Sequence, residues 1–560
     1  MVACVCAGAP AIRCPRLYPL ECTPGHISVD NSTNLLDWAH LVPSERSGSG
    51  GAVDNELQQQ YWGRGEIFLS VNGNFGIKLY FCFPSACRSA QRLLSGSLGE
   101  IKNSTNMKNR IFRSLAIAVL LFAVIPAFAQ LPEKLAQFGN ISGIKKLEVS
   151  QRMENPFKEK YVMFFEQPID HSNPAKGTFR QRVVVAVADY DAPTVIITEG
   201  YGGAYGLNPR YREEVSKLFN TNMVLVEHRY FLESVPFMQD DTTITPETLN
   251  WDYMTAKNEA ADLHNVNQTL RKVFTGKWIA TGISKGGQTT MFYTAYYPED
   301  LDVSVPYVGP LCKGVEDGRH EPFLAEYAGT PEDREILKAF QVEFLKRRET
   351  IRPMFEKLSA EKNYTYKISM DAVYDYCVLE FPFAFWQWGM KTSTVPDPKT
   401  ATDEQMFNYL VRTSGPDYFA EGGDSAPFFV QAAKELGYYG YDTKPFKGLL
   451  TIKDAEGYLN KLFVPQSQTF KFDKYLYKKI KKFLAKTDSK MMFIYGQFDP
   501  WSAVMPVAPV KNEELKKKGK GRQTMKLYIE PNGSHRARIS TLPEPMKQEA
   551  IATLKEWLEL

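Results

Sequence analysis

The chain has 560 residues, of which 44 % are hydrophobic and 23 % charged, an ordinary balance for a globular protein with a large core. Its 67 Lys and Arg against 64 Asp and Glu leave a formal charge of +3. No long Lys/Arg block is interleaved with aromatics, so no nucleic-acid face is expected.

Residues 1–106 hold six of the eight cysteines, Ser/Gly-rich stretches such as Ser47 to Gly51, and no sustained hydrophobic period. From Met107 the pattern changes to that of a secretory signal. Lys108, Arg110 and Arg113 precede the apolar run Leu115 to Ile125, and Ala127-Phe128-Ala129 places small residues before Gln130. The run is shorter than the ~20 residues a bilayer span needs. Residues 107–129 are therefore expected to be a signal peptide cut after Ala129, giving a periplasmic or extracellular product with no stable membrane anchor. Export machinery reads amino ends, so Met107 is read as the true start and residues 1–106 as an over-extended reading frame outside the mature fold. The cysteines then fall to Cys312 and Cys377, a candidate bridge in an oxidising compartment. Neither a His-Glu-x-x-His nor a paired Cys-x-x-Cys spacing occurs, so no metal or cofactor is expected.

The mature chain opens with short β-branched runs bounded by Pro, Gly or Asp, which predict strands over Tyr161 to Phe165, Phe179 to Ala188, Thr194 to Thr198 and Met223 to Glu227. Helix Thr255 to Phe274, strand Trp278 to Thr281 and helix Gln288 to Tyr297 follow, an alternation that implies a mostly parallel sheet flanked by helices. Residues 130–310 are read as the first part of this core. Residues 311–487 are helix-like, charged and aromatic, with Arg334 to Lys346, Tyr374 to Trp388 and Gln468 to Ala485 as its main segments, and read as a large helical cap insertion. Residues 488–560 return to the core, with strands at Met491 to Tyr495 and Met525 to Ile529 and a closing helix near Met546 to Leu558.

Gly282-Ile283-Ser284-Lys285-Gly286 lies between a predicted strand and a predicted helix, the setting of a nucleophile elbow, in which the turn is too tight for side chains beside the serine. The fold class is accordingly α/β, of the α/β-hydrolase type. A serine hydroxyl needs a base, and the base an orienting carboxylate, in the chain order Ser, acid, His. Two histidines follow Ser284. His535 comes just after a predicted strand, whereas His320 stands where the cap begins. Asp499 follows the strand before it, so Ser284, Asp499 and His535 are the expected triad. Lys285 N–H is the expected first oxyanion donor, and the glycine-rich turn Glu199 to Gly203 supplies the second from Tyr201 or Gly200.

With these residues placed, the chain resembles the secreted prolyl tri/tetrapeptidyl aminopeptidases, bacterial serine peptidases distantly related to lysosomal prolyl carboxypeptidase. The resemblance is carried by Glu199-Gly200-Tyr201-Gly202, Val226 to Phe231, Gly282 to Gly287, Tyr495 to Trp501 and Gly533 to Arg536. It implies release of a short peptide from a free amino terminus, commonly after proline, through an acyl-enzyme. An exopeptidase of that kind needs a carboxylate for the substrate ammonium. Glu380 is preferred because it lies in the aromatic run Cys377 to Trp388, where Trp386 could wall a proline ring; Glu199 and Glu227 are rivals. A carboxylic-ester hydrolase using the same triad is the alternative enzyme reading, and a non-catalytic binding protein the alternative outside enzymes.

Overall fold

The structure is a computed structural model that describes residues 69–72, 76–79, 130–152, 154–236 and 245–560. Leu69–Asn72 and Gly76–Leu79 pair as a two-stranded antiparallel ribbon. The expected signal segment 107–129 and the remainder of residues 1–106 lie outside the described residues.

Among the described residues nine strands form one mixed sheet: β1 (Ile141–Lys146), β2 (Glu159–Pro168), β3 (Thr178–Val187), β4 (Thr194–Thr198), β5 (Asn222–Val226), β6 (Trp278–Ile283), β7 (Val303–Tyr307), β8 (Met491–Gly496) and β9 (Met525–Glu530). Their spatial order is β9-β8-β7-β6-β4-β5-β3-β2-β1. β1, β2, β3 and β5 pair antiparallel in succession, and every pair from β5 through β4, β6, β7 and β8 to β9 is parallel. Apart from the edge strand β9, the parallel half is buried on both faces, which is why its strands read as apolar runs rather than alternations. Ile196, Val224, Ala280 and Phe493 face one cluster, and Val195, Leu225, Ile279 and Met492, one residue out of phase, face the other.

Helices cover both faces. α1 (Ala256–Leu270) starts at Thr255, whose side chain accepts from Asn258 N–H, and α2 (Lys285–Tyr296) follows β6 directly. Between β7 and β8 the cap carries α3 (His320–Glu326), α4 (Pro331–Lys346), α5 (Arg348–Lys362), α6 (Met370–Trp388) and α7 (Asp403–Ser414). Capping boxes start two of them, Thr330 with Asp333 on α4 and Thr402 with Gln405 on α7. The cap has its own hydrophobic core, with Phe340, Phe344, Phe355, Tyr374 and Phe381 at its centre. The helix at its carboxyl end, α8 (Tyr475–Lys486), buries Leu476, Ile480 and Leu484 in the cluster on the sheet rather than in the cap. α9 (Glu544–Leu558) closes the opposite face with Leu554 and Trp557.

Two strands escape the sequence pattern. β1 is a sheet edge with a register shift between Ser142 and Lys145, and its half-exposed residues give no apolar run. β7 carries Pro306, a residue that in sequence argues against a central strand. The segment Gln468 to Lys474 is not helical; α8 begins only where the Asp473 carboxylate accepts Tyr475 N–H at 2.8 Å. Cys312 and Cys377, the candidate bridge, are both buried free thiols in the cap cluster. No helix among the described residues is long and apolar enough to cross a membrane.

Candidate active site

Ser284 stands between the last residue of β6 and the first of α2 with φ 59° and ψ −120°, a conformation that L-residues rarely adopt and that costs of order 1–3 kcal/mol. The surrounding packing enforces it. Ser284 N–H donates to the Tyr307 carbonyl at 3.0 Å, a bond from the elbow to neighbouring β7. A Cβ on Gly282 would sit 2.3 Å from the Gly286 carbonyl oxygen, and one on Gly286 would sit 2.8 Å from that of Thr198. Thr198 ties the same region together, its hydroxyl lying 3.0 Å from Gly286 O and 2.7 Å from Thr290 Oγ1.

Asp499 and His535 follow β8 and β9, so both lie on the carboxyl edge of the parallel sheet where Ser284 follows β6. The two loops touch: a Cβ on Gly496 would lie 2.2 Å from Ser534 O. His535 Nδ1 donates to Asp499 Oδ2 at 2.7 Å, with Asp499 fully buried and His535 5 % exposed. The other carboxylate oxygen accepts Trp501 N–H at 3.1 Å and so caps the turn that follows. A carboxylate can only accept, which assigns the imidazole proton to Nδ1 and leaves Nε2 with a lone pair. His535 Nε2 is buried without a hydrogen-bond partner among the described residues, and it makes none with Ser284. From the cap side, His535 N–H donates to the Gln387 carbonyl at 3.0 Å, and Trp501 Nε1–H to Gln387 Oε1 at 3.2 Å.

The loop after β4 lies against the start of α2, where a Cβ on Gly200 would meet Lys285 Cβ at 2.6 Å and Gly286 N at 2.8 Å. Lys285 N–H belongs to the first turn of α2 and has no intrahelical acceptor. Gly200 N–H is turned to the Glu199 carboxylate, which also accepts from the Tyr205 hydroxyl; burial nevertheless pushes the Glu199 carboxyl up to about 7. Lys285 is 1 % exposed and its Nζ has no hydrogen-bond partner among the described residues, and burial draws the ammonium down to about 8 against the pull of Glu259, Glu435 and Glu199. Glu227 is fully engaged by Arg182, Gly203 N–H, Glu233 N–H and the Ser234 hydroxyl, so it braces the loop. Arg229 is buried in a two-pronged pair with Asp262 at 2.7 and 2.8 Å, and His228 Nε2 is 2.6 Å from Glu259.

Glu380 projects from the middle of α6 and is 6 % exposed. Its carboxylate accepts the hydroxyls of Tyr439 at 2.9 Å and Tyr441 at 2.7 Å; burial raises it to about 7, against the lowering effect of those two bonds. Tyr439 stacks on Phe383 at 3.7 Å, and Trp501 packs edge-on to both rings at 5.5 and 5.2 Å. Trp386 instead packs against Phe385 and Phe498, with a Cβ on Gly329 only 2.3 Å from its ring, so it is wedged into the cap core. Sequence reasoning missed Tyr439, Tyr441, Trp501 and Gln387 as parts of this site. The first two lie about sixty residues from Glu380, and only the proximity of Trp501 to Asp499 gave a signal.

A strained serine between strand and helix, with a buried Asp–His pair after later strands of the same parallel edge and a helical cap above, defines the α/β-hydrolase fold. The chain belongs to the PS-10 peptidase S37 family, whose model matches residues 140–560, and it is therefore an enzyme of the peptidase class. It is 30 % identical over 426 residues to the prolyl tri/tetrapeptidyl aminopeptidase of Streptomyces mobaraensis, a match covering 74 % of this chain and 83 % of that protein. It is 27 % identical over 194 residues to the lysosomal Pro-X carboxypeptidase of Mus musculus, covering 33 % of this chain and 38 % of that protein. Among solved structures it is similar to the hyperthermophilic esterase from the archaeon Pyrobaculum calidifontis, with a TM-score of 0.29 and 13 % identity over 71 % of this chain and 84 % of that one.

Proposed function

We propose that the protein is an exported serine aminopeptidase that releases tri- or tetrapeptides from free amino termini after proline, with Ser284 as nucleophile, His535 as base and Asp499 as the orienting acid. The observation that carries this reading is the buried Asp499–His535 pair whose Nε2 is left unpartnered, on the sheet edge that also bears the strained Ser284. In the first step the Ser284 hydroxyl proton passes to His535 Nε2 as Oγ bonds to the scissile carbonyl carbon. The imidazolium is stabilised by Asp499. The oxyanion takes Lys285 N–H and Tyr201 N–H; Gly200 is the poorer donor because its N–H already faces Glu199. When the C–N bond breaks, His535 returns the proton to the departing amine. Water then repeats the sequence on the acyl-enzyme and releases the short peptide as its acid.

Glu380 holds the substrate ammonium, its two tyrosine hydroxyls fixing the carboxylate in place. Glu380 and Gln387 are seven residues apart on α6, about 10 Å at 1.5 Å per residue. An extended peptide advances ~3.3–3.6 Å per residue, so about three residues bridge that span. Phe383, Tyr439 and Trp501 offer ring faces for proline, Trp386 supports them from the cap core, and Glu199 braces the oxyanion loop. The anchor is covered by the cap, so substrate enters as the cap lifts from the sheet edge. Export follows from Met107 to Ala129. The test is a set of chromogenic tripeptides ending in proline, with free and blocked amino ends, assayed beside short acyl esters. Turnover of the free peptides alone is expected; equal turnover of blocked peptides refutes the aminopeptidase reading.

A further inference from the structure

Buried polar atoms without partners are rare in folded proteins, and a local concentration of them marks a surface built for something else to complete. His320 is fully buried at the start of α3, and neither of its ring nitrogens has a hydrogen-bond partner among the described residues. Its ring is enclosed by Phe383 at 5.8 Å, Tyr439 at 5.9 Å and Trp501 at 5.4 Å. Glu321 Oε2, on the next residue, is likewise buried with no hydrogen-bond partner among the described residues. His320 stands beside the rings that connect Glu380 to Trp501, and Trp501 N–H in turn donates to Asp499 Oδ1.

Apolar surroundings keep this imidazole neutral; burial takes it down to about 3. A neutral imidazole carries one N–H donor and one lone pair, the complement of the C=O and N–H that a peptide backbone presents. Leaving both unmet costs roughly 1–3 kcal/mol per group, a burden that a purely structural position would have shed by carrying Phe or Leu. Its three ring neighbours place it midway along the course from ammonium anchor to triad. We propose that His320 is a specificity-determining residue that hydrogen-bonds a backbone peptide group of the segment to be released, between its ammonium and the scissile bond. This rests on the aminopeptidase reading above.

Replacing His320 by Phe removes the unmet donors and acceptors without opening a large hole. The expected result is a variant at least as resistant to urea as the wild type. Its KM for a free-amine tripeptide rises about tenfold, while fluorophosphonate labelling of Ser284 stays within twofold. His320→Gln, which keeps a donor and an acceptor, restores part of the loss. Should His320→Phe fail to fold, the wild-type enzyme still answers with substrates in which one internal peptide link is an ester. A roughly tenfold loss of kcat/KM in the wild type that shrinks in His320→Gln supports the contact. An unchanged KM in a folded His320→Phe, or no penalty for the ester link in the wild type, overturns it. Indifference of the wild type to amino-end blocking would instead overturn the parent reading, so the two failures are distinguishable.

Discussion

Glu380→Gln is the most informative single change, because it alters charge without altering shape. Burial raises the Glu380 carboxyl from its usual 4.5 to about 7, which corresponds to a penalty of about 3 kcal/mol for the charged form. A carboxyl held higher in the native state than in the unfolded chain binds its proton more tightly when folded. Stability is therefore lost as pH rises from about 4.5 to about 7 and the deficit stays constant above that. Glutamine carries no such deficit, so Glu380→Gln should unfold at higher urea than the wild type at pH 8 and at nearly the same urea at pH 4.5. In catalysis the order reverses. In the proposed anchoring role a substrate ammonium repays the cost of the buried carboxylate, and an unpaired buried ammonium costs about 3–5 kcal/mol, so kcat/KM for a free-amine tripeptide should fall by two to three orders of magnitude. The acid limb of the wild-type kcat/KM profile near pH 7 should lose the contribution of this group. Turnover of an amino-blocked peptide, already slow, should not change further. Parallel pH profiles and urea melts on both proteins check all three outcomes. An acid limb that survives unchanged, or an equal loss for free and blocked substrates, would refute the assignment of Glu380 as anchor.

Other parts of the site give sharper yes-or-no outcomes. Asp499→Asn keeps an acceptor for Trp501 N–H but releases the imidazole from the Nδ1–H tautomer, so kcat should drop about 10⁴-fold with the circular dichroism spectrum retained. Gly282→Ala would put a methyl 2.3 Å from the Gly286 carbonyl; displacement of the elbow should abolish fluorophosphonate labelling and lower the melting temperature. Cys312 and Cys377 should titrate with a thiol reagent only after unfolding, and a reductant should leave the melting curve unmoved, because both are buried free thiols.

The parts of this architecture that were legible in the sequence are those where one local rule operates. Central strands such as Val195-Ile196-Ile197 are buried on both faces, so apolar run and flanking turn signals suffice. Ser284, Asp499 and His535 each stand shortly after a parallel strand, so chain order puts all three on one sheet edge. Where residues distant in sequence must converge, the text is silent. The tyrosines that bond Glu380 stand at 439 and 441, in a stretch between short turns with no period. Trp386 looked like a pocket wall because the whole run from Cys377 to Trp388 is aromatic, yet α6 is buried nearly all round. Composition does not separate the faces of this helix, but position does: Glu380, Phe383 and Gln387 share one face at helical spacing, and Trp386 falls outside it.

That face joins the proposed ammonium anchor to the Asp499–His535 pair through one helix. The same helix that carries Glu380 accepts His535 N–H at the Gln387 carbonyl and Trp501 Nε1–H at the Gln387 amide oxygen. Glu380 and the base are thereby joined through one helix, which runs on through Pro382; the proline has no N–H to donate, and the Val378 carbonyl it leaves free accepts from Gln341 Nε2 at 2.7 Å. On the proposed reading, lifting the cap to admit substrate would strain the Gln387–His535 bond and loosen the imidazole that Asp499 orients, and closing it onto a peptide whose ammonium had reached Glu380 would remake that bond. The proposed anchor would then act on kcat as well as on KM, because Glu380 and the carbonyl that holds His535 lie on the same helix.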